Sequence, residues 1–517
     1  MKVSSAPLDR FDVVVIGAGI NGTSAVRELS AAGYKVLLAE QADFANGATG
    51  RSSRILHCGL RYFETPRPVR TFAKSPQSFV GALRMAKDAM AAREELVRLQ
   101  PERCKPFTMC FPVYRSDDIR GWHLDLGFAL LKFLGPSNPP LDYRRLQARA
   151  IQTLPFAGDL RDQASLRSVA TYREYVIDWP DRICVDAALA AEQDGAEIRL
   201  FTRAELRQQA PDGDWIVDLI EKTGKVGTVT AAAVLNVAGT WIDNVGKNHI
   251  SASAQPLVRG TKGAHIVVRL PNRYRGFGLA ALNRKDMPIY CLPLQEDRFY
   301  FGPTETPFDD DASNVHATDE DIDFLLSEAN HLLPALKLTR RDVEFSWAGV
   351  RPLSFDPNLP MGRRTREIHD LARRGQPKVL AMTAGPVMTH RSAGRELRDA
   401  VSRMIKPARG QAGPGILHGK YGQDPGSTEP CKAAFRKAVT VEHARDLRGI
   451  LYTRTGLAWG RHLEPTTVKE VADCVADLLG WSPEEVRKRV AEFLEYQRTV
   501  FRAGAPMQSP EKVVVTA

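Results

Sequence analysis

The sequence predicts an α/β protein: a Rossmann-like dinucleotide-binding domain, an inserted domain on a mixed or antiparallel sheet, and a C-terminal helical domain. Three observations carry that reading. A β-branched run at residues 11–16 leads through closely spaced glycines into a helical stretch, as a buried parallel strand feeding a helix does. Two more apolar strands ending in glycine lie far downstream, at residues 231–239 and 379–385. Each can deliver a loop to the carboxyl edge of a parallel sheet. Residues 442–497 carry helical periodicity behind a window rich in glycine and proline.

Taken in order, the strand at 11–16 is followed by a helix at 23–32 that stops at Gly33, and by a strand at 35–39 that ends at Glu40. Residues 82–99, rich in Ala, Arg, Glu and Leu, read as a long helix. Residues 121–134 read as another, with Trp122, Leu126, Leu130 and Phe133 at helical spacing. Strand–turn–strand patterns cover 200–210 and 215–220, and further strands cover 263–270 and 297–302. The helix predicted over 319–333 has acidic residues in its first turn, where the helix dipole favours them. A helix at 392–405 follows the third glycine-ended strand. Residues 406–430 read as a linker. The last helix, 483–501, starts behind Ser482-Pro483-Glu484-Glu485, and residues 502–517 read as a frayed end.

Composition narrows the class. The 517 residues are 43% apolar and 26% charged, as in ordinary folded proteins. No run of about 18 apolar residues indicates a membrane span. Met1 to Arg10 has no apolar core of leader length. Lys plus Arg is 71 and Asp plus Glu is 61, a net charge of +10, which suits an anionic small substrate or membrane surface. Basic runs interleaved with aromatics are absent, which argues against nucleic acid. The seven cysteines are scattered without a CxxC pair. Neither a metal cluster nor a disulfide framework is implied, and a reducing cytoplasm is the simplest compartment.

Gly17-Ala18-Gly19-Ile20-Asn21-Gly22 is a GxGxxG turn. Its glycines permit a tight turn, close approach to a pyrophosphate and helix–strand packing, and the helix N-terminus faces the phosphates. Glu40, which is followed by Gln41, lies 23 residues after Gly17, near the spacing of a ribose-binding carboxylate. The turn does not itself distinguish FAD from NAD. The long hydroxyl- and glycine-rich segment through Thr49, Ser52 and Ser53 can run along a flavin diphosphate and ribityl chain, whereas a nicotinamide enzyme would normally enter its next helix.

Residues 11–64 resemble the FAD-dependent glycerol-3-phosphate dehydrogenases, within the flavoprotein group that includes D-amino-acid oxidase. The resemblance rests on Ser52-Ser53-Arg54-Ile55-Leu56-His57-Cys58-Gly59-Leu60-Arg61-Tyr62-Phe63-Glu64, close to the family's serine-rich stretch, Lys, and His-Gly-Gly-Leu-Arg-Tyr-Leu-Glu. Lys262-Gly263-Ala264-His265, Gly302-Pro303-Thr304-Glu305, Gly349-Val350-Arg351-Pro352-Leu353 and Arg454-Thr455-Gly456-Leu457 resemble further blocks, in the family's order. The resemblance implies FAD, with loops at Ala238-Gly239 and Gly385 reaching it. It implies cofactor-binding segments at about 1–80, 180–250 and 345–405, substrate-domain segments at about 81–179 and 251–344, and a helical domain at 431–517.

The implied reaction oxidises sn-glycerol 3-phosphate or a related polyol phosphate and passes electrons to a quinone. Arg61 and Arg351 match the substrate-phosphate region. His265 is the leading base or orienting residue, with His57 as the alternative or as a flavin-packing group, and Lys262 is a candidate counter-charge to reduced flavin. Contact with the cytoplasmic membrane through residues 122–134 and a homodimer are compatible with this reading.

Departures from the pattern bear on the substrate. Cys58 and Ala264 replace a glycine and a serine. Pro386, in Ala384-Gly385-Pro386-Val387-Met388-Thr389-His390-Arg391, stands where the family has lysine. Proline supplies neither charge nor N–H. His390, one turn on, is a candidate replacement cation, and Cys58 a candidate covalent flavin attachment. The altered pocket keeps open an oxidase acting on an amine or another metabolite, and a flavoprotein without turnover.

Overall fold

The computed structural model describes residues 8–64, 67–251, 254–407 and 431–502. Nearly all of the expected linker at 406–430 and of the expected frayed end lies outside these residues.

The first sheet has eight strands. Its centre is Asp9–Ile16, flanked in parallel by Val36–Ala39 and Val226–Asn236, with Val379–Thr383 parallel beyond the latter. Residues 11–16 are all buried because both faces of this strand are covered. The two-residue period sorts its side chains. Val13 and Val15 pack with Val26 and Leu29 of the helix Ile20–Ala31 and with Leu397, whereas Val14 and Ile16 pack with Trp215 and Val217 on the opposite face. The hairpin Thr202–Gln209/Trp215–Glu221 joins antiparallel to Val226–Asn236.

The second sheet has ten strands and is mixed. Antiparallel pairs dominate, chiefly Cys104–Tyr114 with Leu166–Ile177 and Val258–Arg269 with Val343–Ser354. Phe277–Leu282 joins Cys104–Tyr114 in parallel. The short strand Ile55–Leu56 leaves the nucleotide-binding region to pair with this sheet. Along Val258–Arg269, Ala264, Ile266 and Val268 turn to Ile322 and Leu325 of the helix Asp319–Leu332. Gly263 and His265 face the other way.

The C-terminal region is helical, with Lys432–Thr440, Pro465–Leu479 and Pro483–Val500 as its main helices. The Ser482 side chain caps the last one by accepting from the Glu485 N–H. The continuous helical pattern expected from 442 is interrupted. Gly449–Arg454 forms a π-helical turn, and Gly456 takes a left-handed conformation at φ +66°. Arg454 lies at the end of this turn. It is fully buried, donates to the Glu442 carbonyl at 3.0 and 2.9 Å, and pairs with Asp43, just beyond the strand Val36–Ala39. The Trp179 indole donates to the Tyr452 carbonyl at 3.1 Å, a second tie between this region and the core.

Candidate active site

A cavity of about 330 Å³ opens at the carboxyl edge of the first sheet. Gly17 sits at φ +109°, and a Cβ on Gly22 would lie 1.9 Å from the Gly17 carbonyl oxygen, so the turn cannot be built with side chains there. Gly17, Gly19, Ile20, Asn21, Glu40 and Gln41 form one side of the cavity. Thr49 joins that side, its hydroxyl accepting from the Ile20 N–H at 3.1 Å, and Ala238, Gly239 and Gly385 also line the cavity. Ala18 and Gly22 are not on its surface: the Ala18 N–H donates to Glu40 at 2.8 Å, and Gly22 packs beneath the turn. The Glu40 carboxylate also accepts from the Ala42 N–H at 2.8 Å. Burial raises its pKa, and these bonds offset part of the rise.

A second cavity of about 160 Å³ adjoins the first. Ala48, Pro352, Ala384, Gly385 and Val387 border both. Ser52 and Ser53 line it, and the Ser52 hydroxyl is buried without a hydrogen-bond partner. A glycine turn at a helix N-terminus, an acidic strand end and an orphaned hydroxyl on a continuous cleft are what a long diphosphate cofactor such as FAD requires.

Arg61, Arg351 and Arg364 meet in this second cavity. Among the described residues only one of them is ion-paired: Arg364 binds Glu305. Arg61 has no ion-pair or hydrogen-bond partner among the described residues, and its guanidinium lies 5.9 Å from the Tyr290 ring. Burial works against its charge, but Tyr290, Tyr62, Glu64 and Glu305 outweigh it and raise the pKa. The Arg351 Nη1 is buried and unpartnered. Burial, then repulsion from Arg364, brings the Arg351 pKa down to about 10 despite Glu305. Arg351 reaches its place by lying over Gly263, where a Cβ would stand 2.3 Å from its Nη2. Three guanidiniums, with Glu305 and the buried Glu64 both acting on Arg61, leave an excess of positive field in a dry site, which an anion would relieve.

His265 lines the same cavity, stacked on Trp347 with centroids 4.7 Å apart. Both of its ring nitrogens are buried and unpartnered. Burial, then Arg351 and Arg54, hold its pKa well below the ordinary value, so it is neutral at pH 7. His57 is on the cavity too, with Nδ1 accepting from the Gly59 N–H at 3.2 Å. Burial and then Arg61 keep it neutral as well.

Lys262 is placed elsewhere. Strand alternation turns it to the opposite face from His265, where its Nζ pairs with Asp321 at 2.7 Å. His390 does not replace the missing lysine: its Nδ1 hydrogen-bonds Ser24 Oγ at 2.7 Å, away from the cavity, and burial brings its pKa down to about 3. Pro386 does border the cavity. Cys58 does not: it is fully buried, with its N–H on Glu174, and burial raises its thiol pKa well above the usual range.

Arg364 and Arg54, both on this cavity, are cations that the sequence pattern does not mark as site residues. Arg364 lies in a polar loop, 361–366, with nothing in its spacing to mark it. Arg54 occupies the position of the family's lysine. Its guanidinium lies 3.9 Å from the Trp459 ring, with Nε and Nη2 unpartnered. The Arg-for-Lys exchange beside the serine stretch was the available signal.

Comparison with known proteins agrees with this geometry. The family described as FAD dependent oxidoreductase (DAO) matches residues 12–400. A glycerol-3-phosphate dehydrogenase of Synechocystis is 26% identical over 479 residues, 89% of this chain and 78% of the relative. The aerobic glycerol-3-phosphate dehydrogenase of Staphylococcus aureus is 27% identical over 405 residues, covering 77% of this chain and 68% of the relative. Among solved structures, the Bacillus halodurans glycerol-3-phosphate dehydrogenase complexed with FAD superposes with a TM-score of 0.68 at 20% identity, covering 99% of this chain and 98% of that one.

Proposed function

The chain belongs to the FAD dependent oxidoreductase (DAO) family and uses FAD, and from that premise we propose that it oxidises sn-glycerol 3-phosphate, or a related polyol phosphate, to the keto phosphate and passes the electrons to a quinone-type acceptor. The observation that carries the substrate class is the arginine cluster, Arg61, Arg351 and Arg364, of which only Arg364 is ion-paired among the described residues, beside a neutral His265. A phosphate dianion would bind the guanidiniums by charge-assisted, partly bidentate bonds. The neutral imidazole of His265, with both nitrogens free, would accept the proton of the substrate hydroxyl, and the nearby phosphate would stabilise the imidazolium formed. FAD, when bound, supplies the acceptor for the hydride that leaves the carbinol carbon. Ser52, Ser53, Thr49 and the glycine turn would hold it. His57, already engaged by the Gly59 N–H, would pack rather than transfer protons. We assign the cofactor-binding segments to about 1–80, 180–250 and 345–405; the strands of the first sheet, which fall within them, support that division.

The test is anaerobic flavin reduction with a panel of polyol phosphates, unphosphorylated polyols and amines. The expected result is bleaching by glycerol 3-phosphate or a close relative at concentrations where glycerol leaves the flavin oxidised. Bleaching by amines alone would favour the second reading, an oxidase with another substrate, which Pro386 at the cavity edge keeps in view.

No helix among the described residues is long and apolar enough to cross a membrane. We propose peripheral contact with a lipid surface through the helix Gly121–Leu134, whose Trp122, Leu126 and Phe133 are 53%, 62% and 86% exposed on one helical stripe, with Lys132 nearby.

A further inference from the structure

Behind the arginine cluster lie two buried carboxyls that the reaction outlined above does not use. Glu64 accepts a hydrogen bond from the Tyr290 hydroxyl at 3.1 Å. Tyr290 is the residue whose ring Arg61 faces at 5.9 Å. Glu174 accepts the Cys58 N–H at 3.0 Å, and its second oxygen is buried without a partner. Both residues are nearly inaccessible, at 9% and 2% exposure. Around Glu64 the facing charged and titratable groups are Arg61 from its own turn, Tyr290 from the strand Pro288–Gln295, and Tyr172 and Glu174 from the strand Leu166–Ile177. Behind Glu174 stand Cys58 and Arg93, the latter on the helix Pro76–Leu99. Arg61 is therefore the cation that joins the cavity to this acid pair.

We propose that Glu64 is a positioning residue whose protonation is coupled to anion binding: the arginine cavity takes up a proton onto Glu64 when it binds a dianionic head group. The electrostatics give the reason. An ionised Glu64 offsets one unit of the positive charge that the arginines bring to the cavity, and a neutral Glu64 leaves that unit to the dianion. An anion arriving on Arg61 draws that guanidinium's field away from Glu64 and adds its own negative potential. Both effects favour the protonated carboxyl. Burial already brings Glu64 up to about 6 and Glu174 up to about 7, with Arg61 holding Glu64 down. Loss of that hold moves the proton equilibrium across neutral pH.

The sign follows from linkage. A group whose pKa rises on binding takes up protons between its free and bound values, and affinity falls as pH rises through that window. Here the window opens near pH 6 and extends upward. A one-unit rise on binding corresponds to about a tenfold loss of affinity across it.

Sulfate is the probe, because it stays a dianion throughout and brings no titration of its own. Its binding to the FAD-loaded full chain would be measured by calorimetry from pH 5.5 to 8.5, in buffers of different ionisation enthalpy. The expected result is uptake of a fraction of a proton per sulfate near pH 7, with affinity falling about tenfold from low to high pH. Glu64→Gln should abolish the uptake and hold affinity near the low-pH value throughout. Tyr290→Phe, which deletes the bond favouring the ionised carboxyl, should move the window to higher pH; it serves as a second reading if the glutamine variant folds poorly. Binding without proton uptake in the wild type, or uptake undiminished in Glu64→Gln, would overturn the proposal. It rests on the anion cavity described above but not on the identity of the substrate. Failure of glycerol 3-phosphate to reduce the flavin, with uptake on sulfate intact, would remove the substrate assignment and leave this one standing.

Discussion

At Arg61 and Arg351 the fold treats two like charges in opposite ways. Arg61 is surrounded by phenols and carboxyls that raise its pKa, whereas Arg351 is depressed to about 10 by burial and by its neighbours. Each is poised for an anion, and each should matter to phosphate recognition. Charge-assisted bonds contribute about 1.5–3 kcal/mol apiece, so Arg61→Ala or Arg351→Ala should lower kcat/KM for a phosphorylated substrate by roughly 10- to 150-fold. Lysine should restore only part, because a point charge cannot make the bidentate contact. Flavin content should stay at the wild-type level; steady-state kinetics beside the visible absorbance ratio would separate a clamp from a structural role. Arg364→Ala should behave likewise, and it also frees Glu305 to repel the substrate. These arginines were unequally legible. Arg61 and Arg351 stand in recognisable blocks, but the strand period that turns Lys262 away from the cavity became decisive only once Asp321 was seen to wait on the other face.

The helix Gly121–Leu134 was readable to the residue, because apolar spacing at i, i+4 and i+7 marks a helix whatever it packs against. Its partition into faces was not readable. Leu124, Phe128 and Leu131 are buried, while Trp122, Leu126 and Phe133 are exposed, so this helix is apolar on two sides and only tertiary contact decides which is core. The exposed stripe is the element on which lipid contact depends. Trp122→Glu with Phe133→Glu should reduce association with anionic vesicles by at least about tenfold in a sedimentation assay, since each apolar side chain contributes about 1.5–3 kcal/mol on burial. Flavin reduction in solution should be unaffected. Unchanged sedimentation would place any lipid contact elsewhere. Helix starts were the less legible ends. The helix expected from 82 begins at Pro76 because Ser75 accepts the Ser78 N–H, and the first helix begins at Ile20, directly on the glycine turn. The first is a local cap and the second a contact with Thr49, whose hydroxyl accepts the Ile20 N–H at 3.1 Å; apolar periodicity registers neither.

On the scale of the whole molecule, the C-terminal helices are held to the nucleotide-binding sheet by few but deeply buried polar ties. Arg182 with Glu442 at 2.8 Å is the deeper, and Arg454 with Asp43 is another. Removing one member of a buried pair strands the other charge, at a cost of about 3–5 kcal/mol. Arg454→Met should therefore lower Tm by several degrees and release flavin at lower temperature, because Asp43 lies only three residues beyond Glu40. Adding Asp43→Asn should recover part of the loss, which thermal denaturation followed by flavin fluorescence would register; no recovery would mean that Arg454 acts through the Glu442 carbonyl alone. The nucleotide cavity draws its surface from residues 16–49, 203–245 and 352–387. During synthesis, then, the cradle stays open on one side until the ribosome has released the chain past about residue 387. At roughly 5–20 residues per second, that is an interval on the order of a minute or less. Over that interval the glycine turn and its strand exist without the loops that complete them, exposing apolar sheet edges to chaperones, and the vitamin-derived dye can be captured only when the last quarter of the polypeptide is emerging.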